Sequence, residues 1–214
     1  MEKGYKNLGM LLLVLVPITI IGFLKTYLSQ FPNFEKDPGI TIHFHFVVSA
    51  LWIILFIAQP MLIKAKKYYY HRLLGKFSYV LFILILISFI PIFLKQIQYN
   101  YLPLTILTTS DIISVILFYA LAIYYKQKVQ LHMRYMIVLT LVFIFPAIGR
   151  IFIHWLDFSF MQNMSAGFVL KSILLLGLIT KDKRNSKNYI PYVIGILFFT
   201  IRQAAILLAF YKII

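Results

Sequence analysis

The apolar positions of this chain fall into long, nearly unbroken runs, separated by short clusters rich in Lys, Asn and Tyr. A bilayer-crossing helix needs about 20 mostly apolar residues. Seven runs approach that length: Leu8 to Leu28, Ile42 to Ile63, Phe77 to Leu94, Leu104 to Tyr125, Met136 to Trp155, Ser165 to Ile179 and Tyr189 to Tyr211. The third and sixth are short. The pattern predicts an all-α, polytopic integral membrane protein, with about seven helices in one bundle. No Gly/Ser linker, repeat array or hydrophilic domain interrupts the runs, so residues 1–214 read as a single domain. The first run follows Lys3 and Lys6 as a signal peptide would. It lacks a small-residue cleavage site and continues to Lys25, which predicts an uncleaved first helix. Pro60, Pro91, Pro146 and Pro191 lie in or at the predicted helices, where proline can kink the backbone and free carbonyls.

The charges between the runs give the chain a direction. Lys64, Lys66, Lys67, Arg72 and Lys76 lie between helices two and three, Lys126, Lys128 and Arg134 between four and five, and Lys181, Lys183, Arg184 and Lys187 between six and seven. The alternate loops carry Lys36 and Lys95, with Lys25 and Lys212 near span ends. The excess of Lys and Arg on one side predicts a multi-pass cell-membrane protein, bacterial inner membrane in type, with the N-terminus cytoplasmic and the C-terminus outside.

Composition narrows the chemistry. With 62% hydrophobic and 13% charged residues, the chain lies outside the soluble class. Its net charge of +15 sits in short loops beside apolar spans, which favours membrane lipids over nucleic acid as partner. Tyr68 to Tyr70 and Tyr124 to Tyr125 are placed as interfacial aromatic belts. There is no cysteine, so thiolate metal sites and cysteine nucleophiles are excluded, and redox chemistry would need a bound cofactor. No phosphate-cradling loop, zinc-protease motif or serine elbow is present.

Ionisable residues inside spans are costly unless paired or wetted and are candidates by default. With the predicted topology, His43, His45, Asp111, Arg150, His154, Lys171 and Arg202 fall in or at the outer half of the bilayer, and His71 and His132 at the inner boundary. Arg202 lies deepest and needs a partner or a wet cavity. Asp111 is the one acid placed inside a span, and an ion pair with Arg150 or Arg202 is its first explanation. Lys171, about 9 Å from the predicted start of its helix, is expected to snorkel. Positive charge exceeds negative in this group, which suits a small anionic ligand. Arg72, Lys76 and Arg134 suit lipid phosphates at the inner face.

Imidazole ligates haem iron, zinc and copper, so His45, His71, His132 and His154 are candidate cofactor ligands. His43 and His45 stand about 200° apart on a helix, so one of them is a bystander. His45 could meet His154 at the outer side, and His71 could meet His132 at the inner side. This plan resembles that of membrane b-type cytochromes. His132 and His154 are separated by about 33 Å of rise, which favours one haem b over two. Lys67 to His71 and Lys128 to His132 share a Lys-x-x-x-His spacing, as duplicated hairpins would.

The run His45, Gln59-Pro60, His71-Arg72-Leu73-Leu74-Gly75-Lys76, His132-Met133-Arg134-Tyr135-Met136-Ile137 and Arg150 resembles the uncharacterised bacterial membrane proteins of domain-of-unknown-function family 2306. The resemblance covers helices two to five, residues 42–155, and leaves out helices one, six and seven. Tyr135 stands where Trp is as frequent in the pattern. The resemblance implies no substrate, but it gives joint weight to His45, His71, Arg72, His132, Arg134 and Arg150.

Three readings follow. The first is a small redox or cofactor-binding membrane protein, with haem b or a metal between helices two, three and five. The second is a transporter or a lipid- or small-anion-binding protein using Asp111, Arg150 and Arg202. The third is an assembly partner of a larger membrane complex.

Overall fold

The computed structural model describes residues 2–35 and 37–212, so Lys36 lies outside the described residues. It is all-helical, with six helices long and apolar enough to cross a membrane and a seventh that is shorter. We label them α1 (Leu8–Leu24), α2 (Ile40–Lys64), α3 (Tyr68–Gln98), α4 (Leu102–Tyr124), α5 (Val129–Trp155), α6 (Phe160–Arg184) and α7 (Ile190–Phe210).

The third and sixth spans are not short. α3 runs for 31 residues and α6 for 25. Hydropathy sees only the apolar middle of each, whereas backbone hydrogen bonding continues through the polar flanks Tyr68 to Lys76 and Lys181 to Arg184. α6 also starts five residues before the apolar run, at a capping box in which Ser159 and Gln162 satisfy each other's backbone N–H. The irregular element is instead α1. It is an α-helical turn at Leu8–Leu11, a 3-10 turn at Leu12–Val14 and an α-helix from Leu15. Pro17 lacks the N–H that would bond the carbonyl of Leu13, which accounts for the tightened turn just before it.

Contacts at the helix ends show that α1 nonetheless runs the length of the bundle. At one end Lys64 bonds Asn7, and Arg134 and Lys181 bond Glu2 and Gly4. At the other, Lys25 bonds the carbonyl of His154, and the Trp155 indole donates to Ile21. Successive helices therefore alternate, and the three Lys/Arg-rich loops share the end that holds Glu2 and Asn7.

α5 is the central helix, packing against α1, α2, α4, α6 and α7. Its contact with α1 is close because Gly22 leaves no side chain between them. A Cβ there would strike the backbone carbonyl of Ala147. The core is aromatic: Trp52 stacks with Phe56 and Phe143 and donates to the carbonyl of Leu81, and Tyr119 bonds Ser78. Outward faces present Ile54, Ile83, Ile173 and Ile201, each more than half exposed, to the acyl chains.

Candidate functional site: a charged chamber at mid-depth

Three charged side chains from three helices meet in the middle of the bundle. Arg202 lies about 18 Å along α7 from Ile190 and about 12 Å from Phe210. Asp111 lies about 13 Å along α4 from Leu102. Their side chains pair, Arg202 Nη2 to Asp111 Oδ1, at 3.2 Å. Of the two partners sequence offered for Asp111, the structure selects Arg202.

Lys171 joins them. Because α6 starts at Phe160, this residue lies about 16 Å from its helix start, not 9 Å, and is only 5% exposed. Snorkelling is excluded by that depth. Its ammonium instead rests on two rings, 4.0 Å from the centre of Phe145 and 4.5 Å from that of Phe199, and Asp111 and Arg202 are the charges that act on it. Phe145 is held in this position by Gly167, one helical turn before Lys171, over which the ring packs.

The chamber is incompletely satisfied. Arg202 Nε is buried without a hydrogen-bond partner. Among the described residues Lys171 has no hydrogen bond or ion pair. Two buried basic side chains thus face a single carboxylate.

Arg150 does not belong to this group. Its guanidinium stacks at 4.3 Å on Phe23 of α1 and donates back to the carbonyl of Pro146. The orientation follows from the helical period: Arg150 lies three residues from Ala147, which faces α1, whereas Phe145 faces α6.

The histidines divide in the same way. His43 bonds Tyr27 at 2.6 Å and lies 3.5 Å from Asp37, whereas His45 turns to Ser88 of α3 at 2.9 Å, with Ser49 at 3.5 Å. Burial pushes the Tyr27 phenol above its ordinary pKa. His154 is exposed in the last turn of α5, and both ring nitrogens of His45 are taken up by serines, so no outer His45–His154 pair is formed. At the end of the bundle that holds Glu2 and Asn7, His132 Nδ1 donates to the carbonyl of Ala122 at 2.8 Å, which leaves Nε2 as the free nitrogen. His71 Nδ1, like Gln59 Oε1, is buried without a partner. Among the described residues no group of three or more His, Asp or Glu side chains could hold a metal.

Of the three proposed phosphate holders, Arg72 and Lys76 are exposed, but Arg134 is fully buried. Its Nε meets Asp182 at 2.6 Å, and Nη1 and Nη2 fork onto both oxygens of Glu2 at 3.1 and 3.0 Å. Tyr5 donates to Asp182 at 2.9 Å and lies 3.0 Å from the hydroxyl of Tyr192, while Lys181 bonds the carbonyl of Gly4 and covers the Tyr5 ring. Sequence reasoning missed Glu2, Tyr5, Asp182 and Tyr192. Asp182 was visible as a lone acid inside a Lys-Asp-Lys-Arg run, but nothing marked its side chain as turning inward, and Asp111 is therefore not the only acid within a helix of the bundle.

No protein-family model, no curated protein and no solved structure matches this chain, so what it does has to be argued from its own residues.

Proposed function

We propose that this integral membrane protein binds a small anionic group in the Lys171–Arg202–Asp111 chamber, as a transport or lipid-handling protein would. One observation carries the reading: two buried basic side chains at mid-depth share one carboxylate, and an Arg202 N–H points at no acceptor. An uncompensated cation in the middle of a bilayer costs several kcal/mol, and a bound monoanion would remove that cost. The N-terminus is taken as cytoplasmic, because the basic loops share its end of the bundle and such loops stay inside. The chamber then lies slightly outward of the midplane. Butyrate and inorganic phosphate, titrated against purified protein in neutral detergent, test the reading. A saturable rise in thermal stability that is lost in Arg202→Gln and Lys171→Gln is expected. No response to either anion in the folded wild-type protein would refute it.

A second reading has its own support. The hydrogen bond from His132 Nδ1 to Ala122 leaves Nε2 free, an arrangement common in metal-binding histidines, and His71 Nδ1 is buried without a partner. The resemblance in helices two to five gives weight to the same two residues. A cofactor there, haem b or a single metal ion, would give the purified protein a visible absorbance or a stoichiometric metal content. Either signal should be lost in His71→Ala and His132→Ala but retained in His43→Ala. A colourless, metal-free and folded protein would remove this reading.

A further inference from the structure

We infer that the anion is the carboxylate of a single-chain amphiphile of the fatty-acid type, which reaches the chamber sideways from the bilayer between α4 and α7. The inference rests on the anion-binding reading above and adds to it the class of ligand and its route.

A cleft of about 270 Å³ opens between these two helices, lined by Thr105, Thr109 and Ile113 on one side and Phe198, Arg202 and Ala205 on the other. Ile201 beside it is 70% exposed, so the cleft opens onto the acyl layer of the bilayer. The hydroxyls of Thr105 and Thr109 are turned back onto the carbonyls of Tyr101 and Thr105 of their own helix, and those of Ser110 onto Ile106 and Leu107. The walls are therefore effectively apolar, and the one charged residue that lines the cleft is Arg202. An apolar slot with a guanidinium part-way down fits a hydrocarbon chain that carries an oxyanion.

Charge and size narrow the ligand further. With Lys171 protonated, Lys171, Arg202 and Asp111 sum to a single positive charge, which a carboxylate neutralises and a dianionic phosphate overcompensates. A guanidinium binds carboxylates through two parallel N–H donors. Asp111 pairs with Nη2, and among the described residues the rest of the guanidinium makes no hydrogen bond. The volume is at or below the lower end of ordinary ligand sites, about 300 Å³, which suits one chain and not the two of a phospholipid.

The test uses the full chain in nanodiscs of zwitterionic phosphatidylcholine, with radiolabelled laurate as probe and unlabelled butyrate, dodecanol and phosphatidylglycerol as competitors. Saturable laurate binding is expected, displaced by neither dodecanol nor phosphatidylglycerol and weakened by at least about tenfold in Arg202→Gln, the loss of one charged hydrogen bond. Arg202→Gln strands Asp111 and could fail to fold, so Ala205→Phe is the second variant. It fills the cleft without touching a charge, and it should abolish laurate binding while butyrate still stabilises the protein. If Ala205→Phe binds laurate as the wild type does, the lateral route is overturned while the anion site stands. Displacement by phosphatidylglycerol overturns the single-chain assignment. If neither laurate nor butyrate binds the wild type, both this inference and the reading beneath it fall.

Discussion

Removing the positive charge of Lys171 should make the ligand-free protein more stable, and removing the negative charge of Asp111 should make it much less so. Methionine has nearly the shape of lysine without the ammonium, and at position 171 it would lie between Phe145 and Phe199, where a thioether also makes favourable contacts with rings. Replacing buried charges by apolar groups of similar volume stabilises proteins by about 1–4 kcal/mol, and Lys171→Met is expected within that range because no hydrogen bond is lost with the ammonium. Asp111→Asn does the reverse. It takes from Arg202 its carboxylate at 3.2 Å and leaves two cations without any anion, a loss of about 3–5 kcal/mol for breaking a buried pair. Butyrate should restore part of that loss, since the added carboxylate takes the place of the one deleted. The assay is thermal unfolding in neutral detergent, with and without butyrate, for wild type, Lys171→Met and Asp111→Asn. Destabilisation by Lys171→Met together with a neutral Asp111→Asn would show that the chamber holds no net charge, and the argument for a bound anion would fail.

Three further outcomes are expected. Asp182→Asn strands the fully buried Arg134 with Glu2 alone, and a loss of about 3–5 kcal/mol should appear, with earlier proteolysis of the N-terminal segment as a second readout. Burial pushes the Tyr5 phenol up to about 12 from its ordinary 10, so the folded protein keeps a proton that the unfolded chain releases above pH 10. The stability due to Tyr5 is therefore complete below pH 10 and declines as pH rises toward 12. The unfolding midpoint of Tyr5→Phe should fall less steeply over that window, and parallel profiles would contradict the assignment. Gly22→Val places side-chain atoms against the Ala147 backbone, which cannot yield as a flexible side chain does. The α1–α5 contact should open, read out as a lower unfolding temperature and faster cleavage in the segment after Lys25.

Helix type, number and alternation were legible in the sequence because the bilayer imposes a strong rule: every backbone polar group must be satisfied within its own segment, so long apolar runs become helices. Helix ends were less so, because the apolar run and the hydrogen-bonded run are different quantities. Five residues missed at the start of α6 were enough to place Lys171 near a surface it does not reach. The Arg202–Asp111 pair was partly legible, since a deep arginine and a span acid have few ways to avoid their cost. Rotation was not. Nothing in the order of residues said that Arg150 faces Phe23 while Phe145, five positions earlier, faces Lys171, because the apolar residues surround each helix and leave no polar stripe to fix its orientation. For the same reason, burial of Arg134 was hidden by its position in a basic loop region, where exposed neighbours such as Lys128 set the expectation.

The two charge clusters of this protein differ in a way that bears on what each does. At the end of the bundle that holds the N-terminal segment, Arg134 and Lys181 are matched by Glu2 and Asp182; each oxygen of both carboxylates accepts a hydrogen bond, and Tyr5 and Lys181 cover the assembly. A closed network of that kind fixes the geometry of the N-terminal segment against α5, α6 and α7, and it offers no donor to a ligand. The mid-depth chamber is built from the same residue types but is one anion short, has an unpartnered guanidinium nitrogen, and opens to the acyl layer through the α4–α7 cleft. A purely structural role gives no reason for the second cation, because Arg202 and Asp111 would already balance each other. Lys171 rests on the rings of Phe145 and Phe199 but has no hydrogen-bonding or anionic partner of its own among the described residues, and binding of a monoanion supplies one.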